Sequence, residues 1–166
     1  MSSLNTTAYD DTRLVKIIDI LSRIDEYAIA VSGGVDSMLL AFIANRFTTK
    51  NVHIAHAYSP AVPADAFARV KDYSARYGWQ LSILDAQELD NKNYVANPVN
   101  RCYFCKSNLY QRISSTLTHM VILSGTNTDD LSDYRPGLIA ASEYNVRQVY
   151  VEAGISKADI YDLAKY

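Results

Sequence analysis

Hydrophobic positions along the chain follow two spacings in turn. Leu14, Ile17, Ile18, Leu21 and Ile24 recur at three- and four-residue steps, which predicts an amphipathic helix with Asp10 or Asp11 as its cap. The unbroken apolar run Tyr27-Ala28-Ile29-Ala30-Val31 comes next, short enough for a strand and apolar at every position, as burial on both faces requires. After Ser32–Ser37 a helical pattern runs to about Phe47, and Val52–Tyr58 reads as a second strand. Ser59-Pro60-Ala61-Val62-Pro63 is a loop feeding a helix over Ala64–Tyr77, which Gly78 ends as a left-handed cap. Gln80–Asp85 predicts a third strand.

The stretch Asn91–Asn100 is polar and irregular, with Pro98 against a helix. Helical character resumes from Arg101 to about Leu117, and Met120–Leu123 is a fourth strand. Arg135-Pro136-Gly137 reads as a turn, Leu138–Glu143 as a short helix and Val146–Val151 as the last strand. Ser156 with Asp159 forms a capping-box pattern ahead of a final helix, Lys157–Tyr166. Strands alternating with helices predict an α/β fold: a doubly wound, mainly parallel five-stranded sheet with helices on both faces and ligand loops at the carboxyl ends of the strands. Residues 1–9 are expected to be a flexible tail, with one domain over 10–166.

Composition narrows the setting. The 166 residues are 49% hydrophobic and 20% charged, ordinary for a globular chain. A net charge of -2 gives no ground for sequence-independent nucleic-acid binding, so nucleic acid is not expected as a partner. The first residues lack the basic start and apolar core of a signal peptide, and no apolar run is long enough to span a membrane. A cytoplasmic location is expected. The two cysteines, Cys102 and Cys105, are too few for a disulfide framework.

The chemistry centres on Ser32-Gly33-Gly34-Val35-Asp36-Ser37, a glycine turn between a buried strand and a helix. Two glycines permit positive φ and close approach of a ligand, and the helix directs its unpaired N–H groups at the turn. Such a place suits phosphate. Two serine hydroxyls add donors, and Asp36 beside phosphate points to a cation such as Mg²⁺ or to an orienting backbone amide next to it. A bare strand-to-helix turn needs neither the serines nor the aspartate. The stretch lacks the Lys-Ser/Thr pair of the Walker loop and the three spaced glycines of the dinucleotide fingerprint.

Two further stretches carry candidate chemistry. In Arg101-Cys102-Tyr103-Phe104-Cys105-Lys106 the thiols are spaced for one helix face, near a helix start and between cations that favour thiolate. That pair fits a redox couple, half of a metal site, or two ordinary buried cysteines. His53, His56 and His119 sit in or beside apolar strands, as core or edge histidines do. Gly125–Gly137 follows the fourth strand with Asp129, Asp130, Asp133 and Arg135, residues suited to Mg²⁺ and to pyrophosphate charge, or to a solvated acidic turn.

The segment SGGVDS resembles the signature of the PP-loop ATP pyrophosphatase superfamily, the adenine nucleotide alpha hydrolases. With RCYFCK, GTNTDDLSDYRPG and Val151–Ile160 in order, the chain is similar over nearly its whole length to the N-terminal domain of LarE-type ATP-dependent sulfur transferases. The resemblance implies cleavage of ATP between the α and β phosphates, adenylylation of a carboxylate on a small pyridinium mononucleotide, and sulfur delivery. By position it implies that Ser32, Gly33, Gly34, Val35, Asp36, Ser37, Gly125, Thr126 and Asp129 bind nucleotide, and that Asp36, Ser37 and Arg135 take part in catalysis. Asp129 and Asp130 would hold Mg²⁺, and Cys102 with Cys105 would ligate an iron–sulfur cluster that needs two further ligands. The sulfur-transfer segment of the family lies beyond Tyr166, which implies a homo-oligomer or a partner chain that supplies it. A non-catalytic nucleotide-binding subunit, an amide-forming or tRNA-thiolating PP-loop enzyme, and a metal or cluster carrier using the cysteine pair are the competing readings.

Overall fold

The computed structural model describes residues 10–58, 62–85, 101–132 and 136–166. The predicted tail, the irregular stretch around Pro98, the start of the Ser59–Pro63 loop, and Arg135 lie outside the described residues. In chain order the elements are α1 (Thr12–Ser22), β1 (Glu26–Ala30), α2 (Val35–Phe47), β2 (Asn51–Tyr58), α3 (Ala64–Tyr77), β3 (Gln80–Asp85), α4 (Arg101–Thr116), β4 (Val121–Ser124), a 3₁₀ turn (Thr128–Leu131), α5 (Pro136–Glu143), β5 (Arg147–Gln148), α6 (Val149–Ala153) and α7 (Lys157–Leu163).

The five strands form one parallel sheet in the order β3-β2-β1-β4-β5. β1 is central because Tyr27, Ala28 and Ile29 tolerate burial on both faces, and all three are fully buried. Its alternation sorts the helices. Tyr27, Ile29 and Val31 face a core shared with α1, α2, α3, α6 and α7. Ala28 and Ala30, with Ala55 of β2, present a flatter face on which Leu109, Tyr110 and Ile113 of α4 and Ala140 and Ala141 of α5 pack. The chain winds from β1 to β3 in one direction and then crosses to β4 on the other side of β1. The crevice between the exits of β1 and β4 is therefore the switch point of the sheet, where ligands of such folds sit.

Local signals explain the element ends. The Asp11 side chain accepts from Arg13 N at 2.9 Å and caps α1. Gly78 ends α3 in the left-handed region at φ 68°. Ser156 and Asp159 close a reciprocal capping box on α7. Two expectations are corrected. The last strand is only Arg147–Gln148, since Val149–Ala153 is a helical turn closed by Gly154 at φ 72°. Pro136 and Gly137, expected in a turn, open α5, since the fixed φ of proline suits the first helical position; Arg135 lies outside the described residues.

The loop leaving β4 lies directly on the first turn of α2. A Cβ on Gly125 would stand 2.8 Å from Ser37 N and 2.9 Å from its Cα, both backbone atoms that cannot yield separately. Gly125→Ala is therefore expected to destabilise the protein by about 1–3 kcal/mol through overpacking, measured by denaturant unfolding; unchanged stability would show that the contact is slack.

Helix α1 is tied to α7 by one guanidinium. Arg13 pairs with Asp11 at 2.6 Å, Asp159 at 3.1 Å and Asp162 at 2.8 Å. The hydrogen bond from Arg13 lowers the Asp11 carboxyl to about 2, and Asp159 and Asp162 are lowered too, Asp159 chiefly by Ser156 and Asp162 by Arg13. Lowered folded-state values mean stability that is complete above the ordinary carboxylate range near pH 4 and lost as pH falls toward 2. Arg13→Met should lower the melting temperature at pH 7 and flatten its fall between pH 4 and 2; a parallel fall in both proteins would refute this.

Candidate functional site

At the carboxyl end of β1 the chain turns through Ser32-Gly33-Gly34, with Gly33 at φ 94°, and Gly34 caps α2. Met38 N donates to Gly34 O at 3.1 Å, so the N–H groups of Val35, Asp36 and Ser37 precede the helical ladder and face outward along the axis. Ser32 N donates to Ser37 Oγ at 3.1 Å, and the two serine hydroxyls lie 3.3 Å apart. The turn is closed before any ligand arrives.

Asp36 is gripped from three directions. Asn127 Nδ2 donates to Oδ2 at 3.0 Å, Lys157 Nζ pairs closely with Oδ1, and the hydroxyl of Tyr150 donates to the Asp36 carbonyl at 2.7 Å. Burial, reinforced by the Asp36 charge, pushes the Tyr150 phenol well up, so it stays a donor. Asn127 is itself buried and caps the 3₁₀ turn, accepting from Asp129 N at 2.9 Å.

The acidic loop is also committed locally. Asp130 Oδ2 accepts from Asn127 N at 3.0 Å, completing a capping box, and Asp129 Oδ2 accepts from Lys157 N at 3.1 Å, at the start of α7. Thr128 N donates to Ile155 O at 3.0 Å beside it. Asp129 thus faces α7, whereas Asp130 faces the crevice.

A cavity of about 240 Å³ opens at the switch point, lined by Ser32, Asp36, Ser37, Gly125, Thr126 and Asp130 on one side and by Lys106, Tyr110, Gly137 and Leu138 of α4 and α5 on the other. Of the residues expected from sequence, Ser32, Asp36, Ser37, Gly125, Thr126 and Asp130 meet in this cavity. Gly33, Gly34 and Val35 line a second, more apolar cavity. Arg135 and the Cys102 side chain lie outside the described residues, and Cys105 is half-buried on α4.

Among the described residues no three His, Cys, Asp or Glu side chains gather to hold a metal ion. A donor set for an iron–sulfur cluster, four ligands in the usual case, is not assembled there. Mg²⁺ needs less from a protein, one or two carboxylates with the remaining oxygens from phosphate and water. The Asp36 and Asp130 carboxylates at one cavity fit a cation carried in by polyphosphate.

Three contributors were not expected from sequence. Lys157 and Tyr150 reach Asp36 across 121 and 114 residues, and Lys106 brings a cation to the facing wall. Lys106 directly follows the cysteine pair, and Lys157 sits in the capping segment of α7, so both lay beside recognised signals.

No family profile matches the chain. It is 34% identical over 158 residues to an uncharacterized protein of Synechocystis sp., covering 93% of this chain and 59% of that protein. It is 26% identical over 158 residues to the pyridinium-3,5-bisthiocarboxylic acid mononucleotide synthase of Lactiplantibacillus plantarum, covering 93% and 57%. The chain thus spans a little over half the length of these relatives. Among solved structures, the NMN synthetase of Francisella tularensis superposes with a TM-score of 0.73 at 12% identity, covering 93% of this chain and 68% of that one. The U34-tRNA thiolase of Methanococcus maripaludis, solved with its 4Fe-4S cluster, superposes with a TM-score of 0.71 at 15% identity, covering 96% and 64%. The chain has the fold of the PP-loop, adenine nucleotide alpha hydrolase-like proteins, as its glycine turn implies, and a LarE-type synthase is among its relatives in sequence.

Proposed function

We propose that this chain binds Mg-ATP and cleaves it between the α and β phosphates, transferring AMP to a carboxylate of a small cytoplasmic substrate. The observation that carries this reading is the preassembled turn Ser32–Ser37 opening on a cavity that Lys106 also lines, with Lys157 paired to Asp36 behind it. The first-turn N–H groups of α2 and the hydroxyls of Ser32 and Ser37 hold phosphate oxygens. Lys157 is anchored by Asp36 at one side of the turn, and Lys106 faces it from α4. Both offset charge that builds on the leaving pyrophosphate. At about 240 Å³ the cavity lies below the roughly 300–1,000 Å³ of small-molecule sites. It suits the phosphates and the reacting carboxylate rather than the whole nucleotide.

In this mechanism a carboxylate oxygen attacks the α phosphorus, the bond from that phosphorus to the α–β bridging oxygen breaks, and pyrophosphate leaves with the bonding pair. The products are an acyl adenylate and pyrophosphate. An ionised carboxylate needs no general base. Asp36 accordingly orients Lys157 and the first turn of α2, Asp130 meets the Mg²⁺ that ATP carries, and Arg135 is assigned to the departing pyrophosphate. Asp129 ties the nucleotide loop to α7. The relation to the bisthiocarboxylic acid mononucleotide synthase supports a pyridinium carboxylate as acceptor and sulfur transfer as the later step.

Incubation with Mg-ATP and nicotinic acid mononucleotide, followed by ion-exchange chromatography, should yield AMP and pyrophosphate. Formation of ADP would refute the mechanism. Asp36→Ala should lower turnover at least about 100-fold with the fold intact by circular dichroism. Lys106→Met should lower it about 10-fold, and wild-type turnover in either variant would remove that residue from the mechanism.

A further inference from the structure

The anion-binding turn has a second support outside the glycine motif, on the side away from the cavity. Helix α3 packs its first turn against Gly33: a Cβ there would stand 2.9 Å from the Ala66 carbonyl oxygen and 3.1 Å from Ala66 Cα. From the next turn of the same helix, Arg69 Nη1 donates to Gly33 O at 2.6 Å. Asp65, four residues earlier on α3, stands 3.7 Å from the other terminal nitrogen of that guanidinium.

We propose that Arg69 is a positioning residue that fixes the orientation of the Gly33–Gly34 peptide and so aims the Gly34 N–H at the nucleotide phosphates. The peptide is trans, so its carbonyl and its N–H point in opposite directions. With Gly33 O held toward α3, the Gly34 N–H must point the other way. It does: although Gly34 also borders the second cavity, its N–H donates to Ser32 Oγ at 3.3 Å, and Ser32 lines the phosphate cavity. A Gly-Gly peptide can turn over at little steric expense, because neither residue carries a Cβ. Turned over, it would present a carbonyl oxygen to an anion. Arg69 selects the productive orientation before ligand binds, which spares ATP the work of reorienting the turn. Arg69 needs no contact with ATP for this, and its half-exposed side chain makes its replacement tolerable to the fold.

The inference rests on the ATP-binding reading for its consequence, and on the free protein for its direct test. In ¹⁵N–¹H spectra of the ligand-free protein, Arg69→Met should shift and broaden or double the Gly34 amide resonance. Melting temperature should stay within a few degrees of wild type. By calorimetry with Mg-ATP, Arg69→Met should bind at least 10-fold more weakly, while Arg69→Lys, which keeps a donor for Gly33 O, should stay within about 3-fold. An unchanged Gly34 resonance in Arg69→Met overturns the proposal whatever ATP does. Equal loss of affinity in the Met and Lys variants also overturns it, since the guanidinium would then act by direct ligand contact. Absence of ATP binding in the wild-type protein would overturn the proposed function, and the Gly34 resonance would still decide the role of Arg69.

Discussion

Asp36 is where distant parts of the chain are made to agree. Its side chain and carbonyl receive donors from Asn127, Tyr150 and Lys157, which lie 91, 114 and 121 residues further on. A half-buried carboxylate is stabilised by charge and hydrogen-bond compensation, so the loop after β4 and the segment α6–α7 help hold the first turn of α2 in its observed place. The same contacts have a functional side. The lysine that neutralises Asp36 stands beside the N–H groups that would hold phosphate, and the loop that supplies Asn127 also supplies Gly125, Thr126 and Asp130 to the cavity. The contacts that hold the first turn of α2 also assemble the site.

The sheet makes this meeting possible. Placing β1 between β2 and β4 brings the Ser32–Ser37 turn and the Gly125–Asp130 loop to either side of one crevice. The alanines at positions 28, 30 and 55 let α4 settle close on the sheet face opposite α2, which carries Lys106 and Tyr110 to the far wall of that crevice. The turn is then held on its inner side by Ser37 and on its outer side by Arg69. A turn built this way would hold phosphate by backbone direction more than by side-chain charge, and glycine's freedom is useful there only because neighbours remove it.

Much of the architecture was legible because local and global demands coincide. Tyr27–Val31 reads as a doubly buried strand and is one, extended by Glu26 and ending at Ala30; Gly78, Asp11 and the Ser156/Asp159 box mark helix ends by chemistry that acts within four residues. The error at Val146–Val151 has an equally local cause. Val146 and Val149 fit strand propensity and also a three-residue helical step, and Gly154, a left-handed cap, was the discriminating signal. Asp129 and Asp130 read as metal ligands from composition, and Asn127 and Asp130 also carry the spacing of a capping box, which the structure forms. Tyr150 and Arg69 were not legible as site residues, and Lys157 was legible only as part of the capping segment of α7. Their roles come from contacts 36 to 121 residues apart, and no local pattern encodes those.

The central claim is that the phosphates of ATP lie on the Ser32–Ser37 turn, facing the loop after β4. A titration of the ¹⁵N-labelled protein with Mg-ATP, read by backbone amide shifts, tests it most directly. The largest shifts are expected at Gly34–Ser37 and at Gly125–Asn127, with smaller ones on α4 near Lys106. Shifts confined to Phe42, Tyr73, Tyr77 and Tyr166, which line the second cavity behind the turn, would contradict it.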